Sequence, residues 1–148
     1  MPGVHIIPIN RWEDSRGWLV ELYRDDELPA GFEPTMGYLS QTKPGIARGP
    51  HEHVDQTDGF VFVDGQYDLY LWDARPGNEP ISVVMRVGSE NRVFVTVPPG
   101  VIHGYKNVGN SDAIVLNFPN RLYAGVGKKE QVDEIRHEND PNSPYKIS

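Results

Sequence analysis

The chain has 148 residues, no cysteine and a formal net charge of −7. That length suits one ordinary domain with a real core. The absence of cysteine excludes disulfides, thiolate nucleophiles and zinc–thiolate sites, and the acidic balance excludes broad binding to nucleic acid or anionic membrane.

The 15 glycines and 13 prolines, set among 38% apolar and 10% aromatic residues, predict many short strands joined by turns, an all-β domain spanning 1–148. The N-terminal "MPGVHIIPINRWEDSRG" lacks the apolar run of a signal peptide, and no segment approaches the roughly 20 apolar residues of a membrane span, so a cytoplasmic protein is expected.

In chain order the strand candidates are "GWLVELYR", "MGYLSQT", "GFVFVDG", "YDLYLWDA", "ISVVMRV", "RVFVTVP", "GYKNV" and "AIVLNFP". Turn-forming stretches such as "KPG", "ARPGNEP", "PPG" and "VGNSD" separate them, the pattern of a sandwich or barrel. Alternation along "YDLYLWD" puts Tyr67, Leu69 and Leu71 on one face, Asp68, Tyr70 and Trp72 on the other. Both faces carry bulk, and the aromatic stripe reads as core. "KKEQVDEIRHEN" near the C-terminus is the one helix candidate, a short and weakly amphipathic lid or tail. In "FPNRLY" Arg121 and Tyr123 fall near the barrel mouth, Tyr123 reading as packing.

The chemistry concentrates in "GIARGPHEH". His51 and His53 are two apart, so in an extended chain both imidazoles leave the same face and can share a ligand. Their surroundings read G-x5-H-x-H-x4-D-x6-G through Gly45, Asp58 and Gly65, followed by P-x-G-x2-H-x3-N through Pro98, Gly100, His103 and Asn107. This pair of motifs resembles the two signatures of the cupin superfamily. The resemblance implies a double-stranded β-helix, a jelly-roll barrel, with His51, His53, Asp58 and His103 facing the interior. Three imidazoles and a carboxylate suit a divalent Fe, Mn, Ni or Zn ion.

Four further segments resemble the dTDP-4-dehydrorhamnose 3,5-epimerases among the cupins: "DSRGWLVE", "SQTKPGIARGPH", "VPPGVIHGY" and "RHENDP". The resemblance implies an isomerase acting on a nucleotide-diphosphate sugar without a cofactor, a homodimer whose D-x-R-G arm reaches a neighbouring pocket, and a role for each matching residue. His51 falls on the general base and Asp140 on its carboxylate partner, Arg16 and Arg48 on diphosphate-binding residues, and Glu21, His103 and Asn117 on substrate-pocket positions. Imidazole suits removal of a proton beside a ketone near neutral pH, and guanidinium suits phosphate oxygens.

The chain departs from that family at two catalytic positions: Asp58 stands where the family has an enolate-stabilising lysine, Asn117 where it has a proton-donating tyrosine. A carboxylate does not stabilise a developing negative charge. The alternatives to the epimerase expectation are therefore a metal-dependent cupin using His51, His53, Asp58 and His103, and a barrel that binds a sugar or nucleotide without turning it over.

Overall fold

A computed structural model describes residues 1–148. The strands are β1 (His5–Pro8), β2 (Arg11–Asp14), β3 (Gly17–Val20), β4 (Tyr38–Thr42), β5 (Ala47–Glu52), β6 (Asp58–Phe62), β7 (Gln66–Asp73), β8 (Ile81–Gly88), β9 (Val93–Val97), β10 (Val101–Asn107), β11 (Ala113–Asn117) and β12 (Ile135–Arg136). Two antiparallel five-stranded sheets form, β1-β9-β6-β11-β4 and β12-β5-β10-β7-β8, while β2 and β3 make a separate hairpin. The all-β jelly-roll expectation holds, with no strand pairing closing the two sheets into a continuous barrel.

The sheets meet through their inward-facing residues. Phe60, Phe62, Val95, Val97 and Val115 from the first pack with Tyr67, Leu69, Leu71, Val87 and Tyr105 from the second. Tyr67, Leu69 and Leu71 are buried, as alternation along β7 requires. The opposite face of β7 is covered by the C-terminal tail, where the Tyr70 hydroxyl donates to the Ser148 carbonyl at 3.0 Å and Trp72 lies 5.8 Å from the Tyr145 ring.

No helix forms over "KKEQVDEIRHEN". A 3-10 turn at Val126–Lys128 ends on the first residue of this segment, and the segment itself holds β12 and a second 3-10 turn at His137–Asn139. Ala124, Gly125 and Gly127 just before it and Lys128 at its first position have positive φ, so no right-handed helix starts there. Edge pairing of Ile135 with Glu52 and Arg136 with His51 then extends the chain. No helix is long and apolar enough to cross a membrane.

One local irregularity positions the site. Between β5 and β10, His51 pairs with His103 and Arg48 with Tyr105, so Gly49 and Pro50 together oppose Gly104. This bulge adds one residue to the alternation and turns both Arg48 and His51 inward although they are three apart. Gly49 is required there: its φ is +83°, and a Cβ would sit 2.7 Å from the His103 carbonyl oxygen.

Candidate active site

The inner faces of β4, β5, β10 and β11 open into a cavity of about 830 Å³. His51, His53, Arg48, Tyr38, Ser40, Asn117 and Tyr105 line it on the sheets, and much of the remaining wall comes from the irregular segment running from Arg121 to Glu138. His103 and Asp58 lie just beneath, each 1% exposed.

His51 and His53 do project from one face, their ring centroids 5.4 Å apart, with His103 4.5 Å from His51. Asp58 comes from the facing sheet at the start of β6. Its Oδ2 is 3.0 Å from His53 Nε2 and 3.2 Å from His103 Nε2, and its Oδ1 accepts from the Gln56 amide at 2.8 Å. The other ring nitrogens are already committed: His103 Nδ1 donates to the Val101 carbonyl at 2.9 Å, and His53 Nδ1 to the Asp133 carbonyl. In neutral rings both Nε2 atoms therefore carry lone pairs aimed at a carboxylate oxygen, an arrangement that demands protons or a cation between them.

The electrostatics follow. Burial favours the neutral forms of both partners, yet the hydrogen bond and charge of Asp58 hold the His53 imidazole above its usual range. Hydrogen bonds from His103 and His53 likewise overcome burial and hold the Asp58 carboxyl well below the ordinary carboxylate range. His51 has no such partner. Burial, then repulsion from His103 and His53, pushes it down to about 2, so the ring is neutral.

The four donors His51, His53, Asp58 and His103 lie within 4.8 Å of one another. A tetrahedral ion about 2.1 Å from each donor holds them about 3.4 Å apart, so the set would draw in by up to about 1.4 Å to close on one. Three imidazole nitrogens and a carboxylate oxygen fit a divalent transition metal.

The structure does not bring together every residue singled out in the sequence. Asp140 is exposed, its Oδ1 accepting from the Asn142 backbone, because the turn at His137–Asn139 carries it past the cavity. The carboxylate facing His51 is instead Glu134, with Oε1 3.8 Å from Nδ1; β12 pairs Arg136 opposite His51 and sets Glu134 diagonally to it. Reading "EIR" as extended rather than helical is the signal that puts Glu134 and Arg136 on one face.

Arg16 sits at the hairpin tip, its side chain 88% exposed and bound to Asp14 at 2.6 Å, away from this chain's cavity. Glu21 lines a separate, smaller pocket beside the hairpin. Arg48 does line the cavity, its guanidinium donating to Thr42 Oγ1 at 3.0 Å and the Gln41 carbonyl at 2.7 Å. Tyr123 is 52% exposed on the cavity wall, so it is not a packing residue.

Asn117 donates from Nδ2 to the Tyr38 hydroxyl oxygen at 2.7 Å, leaving that O–H free to donate. Burial, then the nearby negative charge of Asp58, raises the Tyr38 phenol above its usual value and keeps it protonated. Tyr38 is on the sheet opposite the one carrying His51.

The two-sheet fold is shared with solved structures of sugar isomerases and epimerases. The fold matches the dTDP sugar isomerase of Desulfovibrio desulfuricans G20 with a TM-score of 0.84, at 19% identity, over 98% of this chain and 90% of that one. It also matches the dTDP-6-deoxy-D-glucose-3,5-epimerase of Legionella pneumophila, TM-score 0.77 at 19% identity, covering 92% and 73% of the two chains.

In sequence, residues 12–131 match the family described as "Polysaccharide biosynthesis C-terminal domain", and the chain belongs to that family. A probable low-salt glycan biosynthesis epimerase of Haloferax volcanii is 31% identical, covering 83% of each chain. A spore coat polysaccharide biosynthesis protein of Bacillus subtilis is 30% identical, covering 90% of this chain and 87% of its own.

Proposed function

We propose that this chain is a nucleotide-sugar epimerase that removes the proton from a carbon beside the 4-keto group of a nucleotide-linked deoxysugar and returns one to the opposite face. The observation that carries this reading is the His51 imidazole on the cavity wall with the Glu134 carboxylate 3.8 Å from its Nδ1. Burial and the neighbouring imidazoles weaken His51 as a base, and a carboxylate approaching by about 1 Å restores its basicity by stabilising the imidazolium; such contacts commonly tighten when substrate binds. Tyr38, on the facing sheet with its O–H free, supplies the proton for the other face. Arg48, Arg121, Lys128 and Arg136 along the wall offer cations to the diphosphate. The reading is supported by a relative named as a glycan biosynthesis epimerase and by structural neighbours named as dTDP-sugar epimerases and isomerases.

The test is incubation with dTDP-4-keto-6-deoxyglucose in D2O. Deuterium entering at C3 or C5, with the epimer accumulating, is expected. No exchange at either carbon, with His51→Ala leaving binding unchanged, overturns the reading.

A metal-dependent enzyme is the alternative reading, and the converging donors are what favour it. His53, Asp58 and His103 would hold the divalent ion, leaving His51 free as the base. When bound, such an ion supplies Lewis-acid polarisation of a ketone oxygen. Elemental analysis is expected to find near-stoichiometric Fe, Mn, Ni or Zn that is lost in His53→Ala; full activity in protein freed of metal contradicts this.

A homodimer and a cytoplasmic location complete the reading. Trp12, Trp18 and Leu19 on the β2–β3 hairpin are 51%, 55% and 61% exposed, an apolar surface that a second copy would cover while Arg16 is carried toward the neighbouring cavity.

A further inference from the structure

Asp133, which no sequence motif singled out, makes two kinds of contact at the edge of the histidine cluster. Its carboxylate accepts three successive backbone N–H groups, from Val54 at 2.8 Å and from Asp55 and Gln56 at 2.9 Å each. Its own carbonyl accepts the Nδ1–H of His53. The turn it grips joins His53 to Asp58 and carries Gln56, whose amide contacts both. The same turn holds Asn120, which accepts from the Thr57 backbone at 2.8 Å and donates back to the Thr57 carbonyl at 3.1 Å. Both feet of the wall segment 121–132 therefore stand on residues 54–57.

We propose that Asp133 is a positioning residue, a clasp that fixes the tautomer and orientation of His53 from the far end of the chain. A histidine ring can turn about its χ angles and can carry its proton on either nitrogen. A carbonyl at Nδ1 removes both freedoms and leaves Nε2 directed at Asp58. That carbonyl stays in reach because the carboxylate of the same residue is tied to the turn following His53. A merely space-filling residue would need neither the three convergent N–H donors nor the ring contact. As it concerns catalysis, the proposal rests on the epimerase reading; as it concerns His53 geometry, it stands by itself.

The test is long-range ¹⁵N–¹H NMR of the histidine rings in the full chain, with the deuterium-exchange assay run alongside. In the wild-type chain His53 is expected to carry a proton on Nδ1 that exchanges slowly with water. In Asp133→Ala that proton is expected to exchange quickly or to be lost, and incorporation of deuterium into the 4-keto sugar to fall at least tenfold, with affinity for dTDP within twofold. Asp133→Asn, which keeps one acceptor oxygen, is expected to fall between the two. A wild-type ring with bare Nδ1 overturns the proposal even if Asp133→Ala does not fold. So does an Asp133→Ala chain that folds with unchanged His53 signals and rate. Wild-type protein that shows the Nδ1 proton, loses it in the variant, yet exchanges no deuterium supports the clasp and removes the epimerase reading alone.

Discussion

Two aspartates, Asp58 and Asp73, are each 1% exposed, yet the chain treats them in opposite ways. Asp73, at the end of β7, receives a complete set of donors from its own neighbourhood: the Arg75 backbone at 3.1 Å, Arg75 Nε at 2.9 Å and Nη2 at 2.7 Å, and the Asn78 amide at 3.1 Å. Its charge is matched and its oxygens are filled, so it is a structural latch. Asp58 receives one amide donor and two imidazole nitrogens whose protons are committed elsewhere. Burying a carboxylate is costly unless it is paired and hydrogen-bonded. Asp73 meets that cost locally, whereas Asp58 leaves a place for protons or a metal at the base of the cavity.

The largest effect is expected at the cavity itself. His51→Ala should lower the rate of proton exchange by about 10²–10⁴-fold, the usual contribution of a positioned acid–base group, with little change in thermal stability. A comparable rate loss in Asp73→Asn would erase the functional distinction between the two regions.

The two aspartates are next compared directly by replacement with asparagine. Asp73→Asn deprives Arg75 of its charged partner and should cost about 2 kcal/mol in urea unfolding. In Asp58→Asn the new amide N–H can donate to an Nε2 lone pair. That only partly replaces a carboxylate held below its ordinary range, so stability at neutral pH should fall as well, while affinity for a divalent transition ion falls at least about tenfold.

Acid reads out the Asp73 latch directly. The Arg75 hydrogen bond holds the Asp73 carboxyl well below the ordinary carboxylate range. Its contribution is therefore present above the unfolded carboxylate value of about 3.9 and is lost as pH falls through the folded value. Urea midpoints measured below about pH 4 should fall more steeply with acid for wild type than for Asp73→Asn.

The smallest effect concerns a third buried polar group. The Tyr67 hydroxyl lies in the core with no hydrogen-bond partner. Tyr67→Phe should raise stability by about 1 kcal/mol without touching exchange, showing that an unsatisfied polar atom marks a site only where charge converges on it.

Much of the fold was legible because alternation and turn chemistry are local. Tyr67, Leu69 and Leu71 fell on the buried face as their spacing required, and the H-x-H pair with His103 and Asp58 converges on one point. What was not legible depended on long-range pairing. Strict alternation puts Arg48 and His51 on opposite faces; the bulge at Gly49 and Pro50 reverses that, and no local rule sets its register. The Lys- and Glu-rich segment near the C-terminus favours helix by propensity. The Asp133 clasp and the pairing of β12 with β5 override it, and with it the choice between Asp140 and Glu134 beside His51.

The most direct test is an experimental structure with a nucleoside-diphosphate 4-keto sugar bound. The account predicts the sugar inside the cavity, with the carbon beside the ketone about 3–3.5 Å from the His51 imidazole and Glu134 drawn in behind it. A sugar bound elsewhere, or one whose acidic carbons all face away from His51, would contradict it.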